Sequence, residues 1–290
     1  MNDKIKLTEN EFRIKQAQFE LTRVYNILFH TEDSRISSKY TYRDLYDLIT
    51  NLVNITLENR RIVISCIHKD VTFNDITVGH SINVSMLATI IGDILDYKYF
   101  KLYDLALAAF LHDIGKRNIR SEILYKKGEL TESEYEIIKH HPIESYSYVK
   151  RHFPEANTNI LNGILQHHER LDGKGYPKGL SAEEISEYAQ IISIADSYEA
   201  YTAVRPYHEK RSVNEGIKFI RENPGLNQDI VQKFTDSAAF YTAGLYVLLS
   251  DNTTAIIKEV NFGQKPIFID SVTRQVIEDK GEEVVKVLSF

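Results

Sequence analysis

The sequence predicts a mostly α-helical bundle with a helical extension at its N-terminus and a small β-rich appendage at its C-terminus. Three observations carry this expectation. Apolar residues recur at helical spacing through most of the chain before Leu245. Capping signals and glycine or proline breakers bracket those stretches. From about Leu245 the texture changes to short runs rich in β-branched residues.

The first helix is expected over 10–29, where Phe12, Ala17, Leu21, Val24, Tyr25 and Leu28 share one face. The second is expected over 41–58, with Leu45, Leu48, Ile49, Leu52, Val53 and Thr56 inward and Thr41 as N-cap. A third covers 75–95 on Ile76, Ile82, Val84, Leu87 and Ile91. The apolar runs Leu102–Leu111 and Ile160–Leu165 and the stretch QIISIADSYEAY extend the bundle. Capping boxes pair Thr131 with Glu134, Ser181 with Glu184 and Ser212 with Glu215. Gly128, the Gly173–Gly179 stretch and Asn223-Pro224-Gly225 punctuate the helices. In the tail, YVLLS, TAIIKEV, KPIFID and EEVVKVL read as strands, with a turn at Asp251-Asn252. The expected organisation is therefore an extension over 1–40, a main helical domain over 41–244 and a β-rich subdomain over 245–290.

Bulk composition removes several function classes. The net charge of −6 over 290 residues argues against a general nucleic-acid binder. One cysteine, Cys66, excludes an internal disulfide framework and fits a reducing cytoplasm. No apolar run reaches the length of a spanning helix, and the charged start MNDKIKLTENEF lacks the apolar core of a signal peptide. A small anionic substrate is compatible with the local cations Lys116, Arg117, Arg120, Arg170, Lys174, Lys178 and Arg205.

Five of the ten histidines fall in three short polar clusters on apolar stretches, and a sixth, His80, stands alone upstream in VGHS. HDIGK (His112–Lys116) ends the run Leu102–Leu111. There His112 and Asp113 can turn towards one ion pair, Asp113 has oxygens for two ions, and Lys116 can reach a phosphate. Alone, it equally fits a helix terminus with a solvated Asp and Lys. KHHP (Lys139–Pro142) alone is better explained as a surface helix end. QHHE (Gln166–Glu169) is more telling, because tandem buried histidines without a metal would be costly. The glycine-rich ERLDGKGYP after it suits a tight backbone beside a ligand. His80 alone reads as an ordinary helical histidine. Asp196 lies in an apolar helix and needs a cation, a metal or strong hydrogen bonds. Arg205 is its structural partner or a fork for phosphate, and the sequence leaves both open.

Together, HDIGK, HHP, QHHERLDGKGYPKGL and ADSYEAYTAVRPY resemble the HD-GYP family, a branch of the HD-domain metal-dependent phosphohydrolases. The resemblance runs from about residue 72 to 208. It implies an HD-domain helical bundle and a cytoplasmic phosphodiesterase that hydrolyses cyclic di-GMP to linear pGpG, with GMP as a further product left open. It implies two divalent metals, iron or manganese. His80, His112, Asp113 and Asp196 match the ligands of one ion; His141, His167 and His168 match those of the second, with Asp113 bridging. Asp113 and Lys116 are the expected catalytic residues, and Lys116, Arg205 and Tyr176 the expected substrate contacts. The Gly175-Tyr176-Pro177 triplet would shape the pocket or contact partners such as GGDEF cyclases. His140 precedes the family's His-Pro position and is not a ligand in this scheme. One departure stands out: family members with a third metal carry a glutamate where this chain has Ile76, and Asp75 lies about 100° around the helix from that position. Two rival readings are a hydrolase of another cyclic dinucleotide, such as cyclic GMP-AMP, and a non-catalytic cyclic di-GMP sensor.

Overall fold

The computed structural model describes residues 9–30, 40–69, 76–203, 211, 213–237, 246–259, 266–278 and 284–289. Asp75, Arg205, Ser212 and the side chains of Ile76 and Cys66 lie outside the described residues.

Helix α1 (Glu9–His30) buries Ile14, Ala17, Leu21, Val24, Tyr25 and Leu28 along one stripe. Phe12, expected on that stripe, is instead 60% exposed, because it stands about 200° around the helix from Ile14. Helix α2 (Tyr42–Glu58) starts at Thr41, whose hydroxyl accepts from the Asp44 amide while Asp44 accepts from the Thr41 amide in return. Helices α3 (Arg60–Lys69), α4 (Ile76–Ile94) and α5 (Tyr99–Leu111) follow. α4 and α5 form the centre of the bundle, where Ile82, Leu87 and Ile91 share a core with Leu102, Leu105 and Ala109. A 3₁₀ turn (Ile114–Asn118) leads to the short α6 (Ser121–Leu124), then α7 (Glu132–Lys139), α8 (His141–His152) and α9 (Thr158–Gln166). A second 3₁₀ turn (Ala182–Glu184) precedes α10 (Glu187–Thr202), α11 (Val213–Arg221) and α12 (Gln228–Thr235). The Thr131–Glu134 and Ser181–Glu184 capping boxes both form.

The segment expected as an extension is built into the main core. Tyr25 on α1 meets Phe110 on α5 edge-on at 5.2 Å, and its hydroxyl accepts from Ser81 on α4 at 3.0 Å. Each fully buried Leu or Ile on that face contributes roughly 1.5–3 kcal/mol, so α1 is part of the platform that carries α4.

The tail forms an antiparallel sheet of β1 (Tyr246–Leu249), β2 (Thr254–Glu259), β3 (Ile267–Asp270) and β4 (Val284–Ser289), in the order β3-β2-β1-β4. The Asp251-Asn252 turn holds Asn252 at φ 67°, a conformation Asn tolerates. Val247, Leu249, Ala255 and Ile257 form a small core of their own beneath the sheet.

Candidate metal centre

Chain ends of helices supply most of the polar cluster. His112 caps α5 in helical conformation, so its ring stays on the inward face. Asp113 then leaves the helix at φ −101°, ψ 4° and turns its carboxylate back towards the same point. Gly115 lets this turn lie directly on the start of α8. A Cβ there would sit 2.3 Å from the His141 carbonyl oxygen and 2.4 Å from the Ser145 amide. The Gly115 amide donates to Ser145 Oγ at 2.8 Å. His141 opens α8 with Pro142 behind it, where a missing N–H costs nothing. His140 faces solvent. His167 caps α9 and His168 follows it, while His80 comes from α4 and Asp196 from the middle of α10.

The hydrogen bonding around the rings fixes their chemistry. His112, His141 and His167 each give Nδ1–H to the carbonyl three residues earlier, of Ala109, Ile138 and Ile164, at 2.6, 2.7 and 2.7 Å. Each Nε2 is then a lone-pair acceptor. These three atoms converge on Asp113. His141 Nε2 lies 3.1 Å from Oδ1, His112 Nε2 lies 3.4 Å from Oδ2, and His167 Nε2 lies 3.9 Å from Oδ1. His141 Nε2 and His167 Nε2 face one another at 3.2 Å. His141 Nε2, His167 Nε2 and Asp113 Oδ1 are acceptors turned on one another with no donor among them, which calls for a cation, whereas Lys116 reaches the other oxygen, Oδ2. Among the described residues, His112 Nε2 and Asp113 Oδ1 are buried without a hydrogen-bond partner. The donor set therefore fits metal ions. Two groups are close enough to hold one ion each: His80, His112 and Asp113, and Asp113 with His141, His167 and His168. They share Asp113.

His80 is held differently. Its Nδ1 lies 2.6 Å from Glu199 Oε2, and its Nε2 lies 3.0 Å from Asp196 Oδ1 and 3.6 Å from Asp113 Oδ2. Glu199 Oε1 also accepts from Asn83 Nδ2 at 3.0 Å. Burial alone would lower the His80 pKa, but Glu199 and Asp196 overcome it and push it up to about 10. Burial pushes His112, His167 and His168 down, and neighbouring imidazoles push the same way. Burial would raise Asp113 and Asp196. Instead His112, Lys116 and His141 hold the first well below the carboxylate range, and His80 holds the second there.

A cavity of about 400 Å³ opens onto this centre, lined by His80, Asp113, Lys116, His168 and Asp196 together with Leu124, Tyr125, Lys126 and Ile138. Lys116 Nζ reaches Asp113 Oδ2 at 2.5 Å from the cavity wall. Tyr176 is not among the lining residues. Its ring stacks on His168, with centroids 4.6 Å apart and planes 27° apart, and its amide donates to the His168 carbonyl. Gly175 has its α-carbon against the backbone of Glu169 and Arg170. Arg170 is spent on structure, donating to the His167 carbonyl and to Ser193 Oγ.

Sequence reasoning missed Glu199, Asn83 and Glu169. Glu199 stands three residues after Asp196, on the same helix face, which was the available signal. Glu169 is 2% exposed and accepts from the Lys178 and Leu180 amides, so it ties the glycine-rich loop to the HH pair.

A family model described as an HD domain matches residues 51–229. The cyclic di-GMP phosphodiesterase PA4108 of Pseudomonas aeruginosa is 28% identical over 228 residues, covering 78% of this chain and 55% of that protein. The 3'3'-cGAMP-specific phosphodiesterase 1 of Vibrio cholerae is 37% identical over 145 residues, covering 50% of this chain and 33% of that protein. This chain therefore spans about half, or less, of the length of these curated relatives. Among solved structures, the HDG"Y"P protein Bd1817 of Bdellovibrio bacteriovorus shares the fold, with a TM-score of 0.64 at 20% identity over 81% of this chain and 74% of that one. The matched segment contains every described residue of the His/Asp cluster, and the chain belongs to the HD-domain family, with the motif set of its HD-GYP branch.

Proposed function

We propose that this protein is a metal-dependent phosphodiesterase acting on cyclic di-GMP in the cytoplasm, with linear pGpG as first product. The observation that carries this reading is that His141 Nε2, His167 Nε2 and Asp113 Oδ1 meet as buried acceptors with no donor among them. His80, His112, Asp113 and Asp196 would hold one divalent ion, and His141, His167 and His168 the second, with Asp113 shared. Bound there, iron or manganese would polarise the phosphodiester and acidify a water for in-line attack. With Ile76 at the position of the third-metal carboxylate, two ions per chain are expected.

The chain's own groups divide the remaining work. Asp113 stays ionised throughout, and the rings of His112, His141 and His167, pinned at Nδ1 by main-chain carbonyls, keep their Nε2 atoms inward. Lys116 Nζ, at the cavity wall, would neutralise charge on the phosphate and give a proton to the departing ribose 3′ oxygen. Arg205 would clamp a non-bridging oxygen. Tyr176 would hold the His168 ring in place from behind. The name of the Vibrio cholerae relative supports 3'3'-cGAMP as a second substrate reading.

The test is turnover of cyclic di-GMP and 3'3'-cGAMP by protein stripped of metal and then reloaded. Activity should vanish with chelation and return with manganese or ferrous iron, while zinc binds and supports little turnover. Full activity in stripped protein would sink the reading.

A further inference from the structure

The cavity over the metal centre has lining residues that the proposed chemistry does not use. Leu124, Tyr125, Lys126 and Ile138 line it as well, with Tyr125 44% exposed. We propose that Tyr125 is the stacking platform for one purine of the cyclic dinucleotide, which makes it a substrate-affinity residue. This rests on the reading of the site as a cyclic-dinucleotide phosphodiesterase and adds the group that meets the base.

The placement follows from local structure. Tyr125 is the C-cap of α6, and its amide donates to the Ser121 carbonyl at 2.9 Å. The next residue, Lys126, pairs with Glu134 at 2.5 Å, and Glu134 is itself locked into the capping box with Thr131. The chain on both sides of Tyr125 is thus anchored before any ligand arrives, so little ordering cost falls on binding. Leu124 and Ile138, which line the same cavity, offer no hydrogen-bonding side chain, and Lys126 is held by Glu134. This lining suits the face of a base more than its edge. A cyclic dinucleotide carries a base on each side of its phosphodiester, so seating the phosphate at Lys116 and Asp113 directs one base along the cavity. Every base has a π-face, so such a platform tolerates guanine and adenine alike.

The test uses full-length, manganese-loaded protein and its Tyr125→Leu and Tyr125→Phe variants. Cyclic di-GMP, 3'3'-cGAMP and methyl p-nitrophenyl phosphate, a diester without a nucleobase, are compared. Stacking predicts a rise of about tenfold or more in KM for both cyclic dinucleotides in Tyr125→Leu, with kcat within twofold. Tyr125→Phe should match wild type, and all three proteins should cleave the simple diester alike. A KM in Tyr125→Leu within twofold of wild type overturns the proposal. So does an equal loss on the simple diester, which would mean that the variant damages the metal centre. Wild-type protein that cleaves the simple diester and neither cyclic dinucleotide refutes the underlying reading, and the stacking role falls with it.

Discussion

Replacing Glu199 with glutamine should weaken one metal position and spare the other. Glu199 is 3% exposed and takes two donors, His80 Nδ1 at 2.6 Å and Asn83 Nδ2 at 3.0 Å. Glutamine keeps the size but offers one oxygen, so its NH₂ group must face one of the two donors. A buried donor left unpaired costs about 1–3 kcal/mol. Loss of an outer carboxylate partner of a metal-binding histidine typically costs about 10–100-fold in affinity, which is about 1.4–2.8 kcal/mol. The two routes agree. Titration of metal-stripped protein with manganese against a chromogenic chelator should show one of two sites weakened by about 10–100-fold. The site built on His141, His167 and His168 should stay within about threefold, because main-chain carbonyls or Tyr176 hold those rings. Wild-type affinity at both sites would refute the role of Glu199. Equal loss at both, with a collapsed Tm, would show that Glu199 only supports the fold.

Asp113→Ala should abolish binding of both ions, measured by elemental analysis, whereas Lys116→Ala should keep the metals and lose roughly 10²-fold in turnover. Loss of metal from Lys116→Ala would contradict this division. Gly115→Ala should lower Tm and metal content together, since its Cβ meets the His141 carbonyl and Ser145 amide inside contact distance; overpacking of this kind costs about 1–3 kcal/mol or more. Loading the metals should release close to one proton per chain near neutral pH, because the raised pKa of His80 keeps it protonated in the metal-free protein and its Nε2 must lose that proton to offer a lone pair to the metal. Calorimetry in buffers of different ionisation enthalpy reads this directly, and zero release would count against it. The sign for stability follows from the same group. Its raised pKa stabilises the metal-free fold fully below about 6.5 and loses that contribution as pH climbs through about 10, so the metal-free Tm should fall over that range.

Much of this architecture is legible in the residues. The helical periodicities of α1, α2 and α4 fall within a residue or two of their ends, and all four β-rich runs of the tail become strands. His80, His112, Asp113, His141, His167, His168 and Asp196 gather at one point because each sits at a helix end or on an inward face. What escaped depends on distant packing. Phe12 faces solvent because it stands on the opposite side of α1 from Ile14, a direction that counting apolar residues along the segment does not register. The role of α1 in the core, through Tyr25 against Phe110 and Ser81, depends on contacts distant in sequence. Glu199 and Glu169 look like solvated carboxylates until the fold buries them against His80 and the glycine-rich loop. Strand order in the tail is likewise set by pairing, which local composition does not encode.

The three rings pinned to carbonyls three residues upstream have an evolutionary consequence. A side-chain partner can be exchanged by a single codon change, but a main-chain oxygen is present whatever residue carries it. The orientation of His112, His141 and His167 is thus shielded from mutational drift as long as the helix ends survive. His80 lacks that protection, because its ring answers to Glu199, and Glu199 answers to Asn83. Heritable variation in metal preference has its entry on that side of the centre, and a library randomised at 83 and 199 would explore it without disturbing the rest.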